Sequence, residues 1–62
     1  MSINIYRIEY RTINPETLIT ATGIDDFYKD TEEKAIEQCK NVHGRFGDSV
    51  EIVSIHNRGK LF

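Results

Sequence analysis

Cysteine, proline and methionine each occur once in these 62 residues, and tryptophan is absent. The single cysteine excludes an intramolecular disulfide, so the fold does not depend on an oxidising compartment. No apolar run approaches the ~18 residues that a membrane span requires, and the N-terminal residues lack the pattern of a signal peptide. These absences lead us to expect a cytoplasmic protein.

The length predicts one domain spanning residues 1–62. A chain of this size buries only about 60% of the surface that its unfolded form exposes, so nearly every large apolar side chain is needed in the core. A deep substrate cleft would remove side chains from that core. We therefore expect a binding protein without catalytic residues, cofactor or metal, rather than an enzyme.

The charge is unevenly distributed along the chain. The net charge of −2 at pH 7 gives no general attraction to phosphate backbones. Residues 25–37 nevertheless contain six carboxylates against Lys29 and Lys34, a local balance of −4, which leaves +2 for the rest. These carboxylates are Asp25, Asp26, Asp30, Glu32, Glu33 and Glu37. The pattern predicts an acidic region on a mildly basic remainder.

The first half of the chain has the pattern of a hairpin. In residues 3–13 the apolar Tyr-Ile-Tyr positions alternate with charged ones, the period of two of a half-buried strand. Asn14-Pro15-Glu16 predicts a turn, and the β-branched residues 17–24 predict a second strand. Residues 25–30 fit either a loop or a continuation of that strand with Phe27 facing inward.

A helix is predicted over residues 31–43, followed by a third strand over 49–56 and a fraying tail over 57–62. Asp30 or Thr31 is expected to cap the helix, and Asp30 with Glu33 resembles a capping box. Gly44 is expected to cap its other end. An apolar stripe on one helix face supports the assignment: Ala35, Ile36, Cys39 and Val42.

This order of elements predicts an α+β fold of the ββαβ type. A hairpin followed by a crossing helix places the third strand beside the first, which gives an antiparallel sheet of order 2-1-3 with the helix on one face. The other face is expected to be open and to carry the charged residues of the first strand, with two apolar residues of the third. Those two are expected to be either Val53 and Ile55 or Val50 and Ile52.

The reactive side chains do not form a chemical motif. Cys39 and His43 are four residues apart on the predicted helix, but a structural zinc site needs four ligands and His56 is the only other strong candidate. Tyr6 and Tyr10 would form a stacking platform for nucleic acid only if they faced away from the helix. Their face carries the alternating apolar residues, so we expect them in the core.

Three stretches, Ile5–Tyr10, Thr31–Cys39 and Val50–Ile55, together resemble a class of tiny phage and mobile-element proteins. The order of these stretches is similar to that of small phage-encoded ββαβ inhibitors of bacterial RNA polymerase, which block a surface of the host enzyme by protein–protein contact. In those inhibitors basic residues lie late in the closing strand, and Arg58 falls in a comparable place.

The resemblance implies a non-catalytic inhibitor or modulator of a host macromolecular machine. Its expected contact residues are Asp25, Asp26, Asp30, Glu33, Glu37 and Arg58. One alternative is a nucleic-acid-binding accessory protein that uses Arg7, Arg11 and Arg45. Another is a structural homodimer, formed by edge-strand pairing or through the open sheet face.

Overall fold

A computed structural model describes residues 2–45 and 47–61. In chain order it contains β1 (Asn4–Ile13), β2 (Thr20–Lys29), α1 (Glu32–His43) and β3 (Ser49–Lys60). Both β2 and β3 pair antiparallel with β1, so the sheet order is β2-β1-β3. The α+β fold with one helix, predicted from the sequence, is confirmed.

The core lies between the sheet and α1. Tyr6 and Ile8 of β1 and Phe27 of β2 are buried beneath the helix, which contributes Ala35 and Cys39. Alternate residues of a strand point to opposite faces, so the residues between these core positions point away from the helix. Partly buried side chains extend the core: Tyr10, Ile36, Val50, Ile52 and Ile55.

The second strand begins and ends later than the predicted range 17–24. Residues 17–19 remain in the hairpin loop because the Asn14 side chain accepts hydrogen bonds from the backbone N–H groups of Glu16 (2.9 Å) and Thr17 (3.1 Å). Leu18 then adopts a left-handed backbone conformation with φ 58°. At its other end β2 continues to Lys29 with Phe27 facing inward, so residues 25–29 form strand and not loop.

Helix α1 is capped by Thr31, whose hydroxyl accepts a hydrogen bond from the backbone N–H of Lys34 at 3.3 Å. The capping box expected from Asp30 and Glu33 is wrong, since Lys34 occupies the third helical position. The carboxylate of Asp30 instead accepts a hydrogen bond from the Lys34 ammonium at 3.2 Å. Gly44 ends the helix as predicted and donates its backbone N–H to the Lys40 carbonyl at 2.9 Å.

The third strand is longer than the sequence indicated. Residues 57–60, expected to fray, pair with the beginning of β1, with Asn57 opposite Tyr6 and Lys60 opposite Asn4. Leu61 adds a hydrogen bond from its N–H to the Ile3 carbonyl at 2.7 Å. The last residue of the predicted tail, Phe62, lies outside the described residues. The added pairing gives β3 twelve residues.

A β-bulge decides which side of β3 faces the helix. Glu9 is opposite Ser54 and Tyr10 is opposite Ile52, which leaves Val53 without a partner in β1. Ile52 and Ile55 therefore both contact the core although they are three residues apart, and Val50 does so too. Neither apolar pair expected on the open face lies there, because a strict period of two does not allow for an inserted residue.

Candidate protein-binding face

The face of the sheet opposite α1 is polar along its centre, where β1 contributes Arg7, Glu9 and Arg11. Each of these side chains contacts a neighbouring strand. Arg7 forms an ion pair with Asp26 of β2, and Arg11 pairs with Glu51 of β3 at 3.3 Å. Glu9 accepts a hydrogen bond from the Ser54 hydroxyl at 3.4 Å. The charges of Arg7 and Arg11 are thus balanced by carboxylates of the neighbouring strands.

The Arg7–Asp26 pair is the best-defined of these contacts. Arg7 donates from Nε to Asp26 Oδ1 at 3.0 Å and from Nη2 to Oδ2 at 3.3 Å, a bidentate arrangement. These hydrogen bonds, with the charges of Arg7 and Arg58, lower the pKa of the Asp26 carboxyl below its ordinary value. The same pair raises the pKa of Arg7. The carboxylate is thus held ionised in a fixed orientation on the open face.

Two large apolar side chains flank Asp26 on the same face of β2. Asp26 points away from the helix and Phe27 points toward it, so Ile24 and Tyr28, two residues before and after Asp26, also lie on the open face. Ile24 is 64% exposed and Tyr28 is 54% exposed. Together with Arg7 they surround a shallow surface depression next to Asp26. The arrangement offers apolar area on both sides of an oriented carboxylate.

The six contact residues expected from the sequence do not form one surface. Asp26 and Arg58 are close enough for the Arg58 charge to act on the Asp26 carboxyl. Asp25 projects toward the helix side, where its carboxylate is 3.3 Å from Nε2 of His43. Asp30 is paired with Lys34 at the start of α1, and this hydrogen bond lowers the pKa of Asp30. The remaining two, Glu33 and Glu37, are exposed on the helix.

Ile24 and Tyr28 are absent from the sequence-derived contact residues. The signal that would have found them is the alternation of Ile24, Asp26 and Tyr28 around the inward-facing Phe27. It becomes informative only when residues 25–29 are assigned to a strand. The sequence left that assignment open, because two adjacent aspartates disfavour strand formation by intrinsic preference.

A second cluster lies at the end of α1 and consists of Tyr10, Asp25, Cys39 and His43. The Tyr10 and His43 rings stack, and the Phe27 and His43 rings are nearly perpendicular with centroids 6.3 Å apart. Cys39 is fully buried, and burial, with a smaller effect of the Asp25 charge, raises the pKa of its thiol. A buried thiol with a raised pKa is a poor nucleophile, so this cluster supports packing and not covalent catalysis.

Two of the three arginines expected to bind nucleic acid, Arg7 and Arg11, are paired with carboxylates. Arg7 and Arg11 both contact carboxylates of neighbouring strands, and these carboxylates would repel a phosphate backbone. Tyr6 is buried and Tyr10 stacks on His43, so neither presents a free ring face for a base. Within residues 2–45 and 47–61, no group of three or more potential metal-ligating side chains is found.

Comparison with protein-family models, curated proteins and solved structures gives no match. The helical segment of the described chain is too short and too polar to span a bilayer.

Proposed function

We propose that this chain is a small non-catalytic binding protein that captures a partner protein through the open sheet face around Asp26. The observation that carries the proposal is the exposure of Ile24 and Tyr28 on either side of a carboxylate that Arg7 holds in place. Interfaces commonly combine aromatic and apolar contact area with a few oriented polar groups. This face combines the two on alternate positions of one strand.

The proposed partner is a component of a host macromolecular machine that the chain inhibits or modulates, with a phage or mobile element as its source. Support for this part comes from the sequence pattern and from the position of Arg58 near Asp26. Steric blocking of another protein requires an exposed contact surface and no deep cleft. The remaining carboxylates on the helix, Glu33 and Glu37, are assigned no contact in this proposal.

The test is capture of a partner from bacterial lysate with the tagged protein, with and without nuclease and at low and high salt. We expect one stoichiometric protein to survive nuclease treatment. Ile24→Ser and Tyr28→Ser should each reduce its recovery at least tenfold. Recovery of nucleic acid alone, lost at high salt, would replace the proposal with the accessory-protein alternative.

Two matched controls separate the surface around Asp26 from other surfaces of the chain. Val53→Ser removes an apolar side chain of comparable exposure from β3, and Glu33→Lys reverses a charge on the helix. Both variants should retain capture. If Glu33→Lys abolishes capture while Tyr28→Ser does not, the contact surface is the acidic helix and not the open sheet face.

A further inference from the structure

The β1–β2 hairpin extends beyond the end of α1. His43, the last helical residue, stacks on Tyr10, which pairs with Gly23 across the hairpin. Past this point the two strands continue to a loop over residues 14–19, the hairpin tip, and residues 15–22 are all exposed. The chain measures 41 Å along its long axis and only 16 and 12 Å across. The hairpin tip is therefore a projection that the helix does not cover.

The composition of the hairpin tip is unusual for a solvent-exposed loop. Leu18 is 72% exposed and Ile19 is 68% exposed, more than any other large apolar side chain among the described residues. Charged residues make up 29% of the chain, but residues 12–24 contain only one, Glu16. Depletion of charged residues is the compositional mark of the centre of a protein–protein interface. The hairpin tip has this composition while it is exposed in the isolated chain.

Hydrogen bonds within the loop hold the hairpin tip in one conformation. The Leu18 N–H donates to the Asn14 carbonyl at 2.8 Å, and the Asn14 N–H donates to the Ile19 carbonyl at 3.0 Å. The Thr17 hydroxyl accepts a hydrogen bond from the Ile19 N–H at 3.3 Å. With the two bonds that the Asn14 side chain accepts, these contacts fix the backbone that carries both apolar side chains. A contact surface that is ordered before binding loses less conformational entropy when it binds.

Leu18 combines a strained backbone with an exposed side chain. Its φ of 58° lies in the left-handed region, which glycine and asparagine tolerate better than leucine. Because the side chain is exposed, burial in the core of this chain does not offset the strain. Strained residues of this kind concentrate at binding sites. Burial of the Leu18 side chain by a partner would supply the stabilisation that the isolated chain lacks.

We propose that the hairpin tip is a second contact region for the partner of the open sheet face, and that Leu18 and Ile19 enter an apolar pocket of that protein. The inference rests on the proposed function, because the hairpin tip leads directly into the strand that carries Ile24. At ~3.3 Å per residue, the pocket lies within about 20 Å of the Ile24 contact. A pocket is required because a projecting loop buries little area against a flat surface.

The chemistry of the hairpin tip favours a protein pocket over three other occupants. Residues 12–24 contain no lysine or arginine, so neither an anionic bilayer nor a nucleic acid is attracted to them. Leu18 and Ile19 together carry less hydrocarbon than one myristoyl chain, which alone gives only marginal membrane binding. In a second copy, the surface depressions beside Asp26 and beside Lys34 are lined mainly by charged and amide side chains, so neither suits two aliphatic groups.

The experiment measures partner capture and stability on the same variants. Leu18→Asn removes the apolar side chain but suits the left-handed backbone. It should therefore reduce recovery of the partner by about tenfold or more while it unfolds at a higher urea concentration than the wild type. Ile19→Ser should also reduce recovery. Leu18→Met keeps an apolar side chain of similar volume and should retain recovery, as should Val53→Ser on β3.

Photo-crosslinking identifies what the hairpin tip contacts. Cys39 is the single cysteine and is fully buried, so a benzophenone maleimide reacts with Leu18→Cys at position 18 alone. After irradiation in unfractionated lysate, crosslinks to apolar residues of the captured protein support the proposal. Crosslinks to lipid, to nucleic acid or to a second copy of the chain overturn it. The same label on Glu33→Cys is the control and should give no crosslink to those apolar residues.

The outcomes separate this inference from the proposed function. If Tyr28→Ser abolishes capture while Leu18→Asn retains it, the open sheet face is the contact surface and the role of the hairpin tip is overturned. If the wild type captures no protein, both proposals are overturned. Loss of capture by Leu18→Asn cannot be attributed to unfolding when that variant is more stable than the wild type.

Discussion

Tyr10 and His43 stack with their ring centroids 3.9 Å apart and their planes inclined by 21°. The Tyr10 ring also lies over the backbone of Gly23, its neighbour across the hairpin. A Cβ atom at position 23 would be 2.5 Å from Tyr10 Oη and 2.7 Å from Cζ. The stack on the helix end therefore requires a residue without a side chain at position 23.

Gly23→Ala should destabilise the fold by about 1–2 kcal/mol, because the Tyr10 ring must leave its place between the strand and His43. Urea unfolding measures the change. In the Tyr10→Ala background the clash is gone, and the same substitution should become mildly stabilising, since alanine loses less chain entropy than glycine in a strand. An equal cost in both backgrounds would show that Tyr10 is not the obstacle.

Cys39 should resist thiol reagents in the folded protein, because it is fully buried and burial raises its pKa. Its reaction with an aromatic disulfide at pH 8 should proceed at the rate of protein unfolding and accelerate in denaturant. Cys39→Ser buries a hydroxyl and should cost about 1–3 kcal/mol. Cys39→Ala is the control, which leaves no polar group to satisfy and should cost less than the serine variant.

Leu18 adopts φ 58° in the hairpin loop and is 72% exposed. The left-handed region costs a residue with a Cβ roughly 1–2 kcal/mol, and asparagine tolerates it better than leucine. Leu18→Asn should therefore raise the free energy of unfolding by about 1 kcal/mol. The matched control is Ile19→Asn, at a comparably exposed neighbour that lacks a positive φ. Equal effects of the two substitutions would exclude backbone strain as the cause.

The Arg7–Asp26 pair should make stability depend on acid pH. The folded pKa of Asp26 is lower than the unfolded one, so the pair stabilises the fold above the ordinary aspartate pKa of 3.8. That contribution should be lost as pH falls through the lower folded value.

Titration of the carboxyl groups by NMR measures the lowered pKa of Asp26 directly. Arg7→Gln should move the Asp26 pKa toward 3.8, whereas Lys34→Gln, which removes the partner of Asp30, should leave Asp26 unchanged. An Asp26 titration that does not respond to Arg7→Gln would contradict the assignment.

The elements and their order are predictable from the sequence because the strand period of two and the helical period of 3.6 are both clear in the segments that form the core. Tyr6 and Ile8 alternate with charged residues, and Ala35 and Cys39 share a helical stripe. The topology follows from a hairpin joined to a crossing helix. What the pattern could not provide was the bounds of β2, which depend on the Asn14 side chain holding residues 17–19 in the loop.

The candidate site was less predictable than the fold, because its residues are grouped by strand face and not by position in the sequence. The acidic residues are close in sequence but divide between the two faces of β2 and the surface of α1, because adjacent strand positions point in opposite directions. Asp25 and Asp26 are the clearest case, one beside His43 and the other beside Arg7. The bulge at Val53 is a second case, since an inserted residue changes the faces without a sequence signal.

The central position of β1 has a consequence for synthesis. Along the chain β1 precedes both of its neighbours and β3 follows α1, so one edge of β1 has no neighbour until β3 has been synthesised. At about 5–20 residues per second this interval is on the order of seconds. Hairpin formation takes microseconds, so β2 pairs with one edge of β1 as soon as it is available. The other edge of β1 stays unpaired for the longer interval. Until then the strand edge beside Tyr6 and Ile8 is left unpaired in the nascent chain, where other extended segments can pair with it.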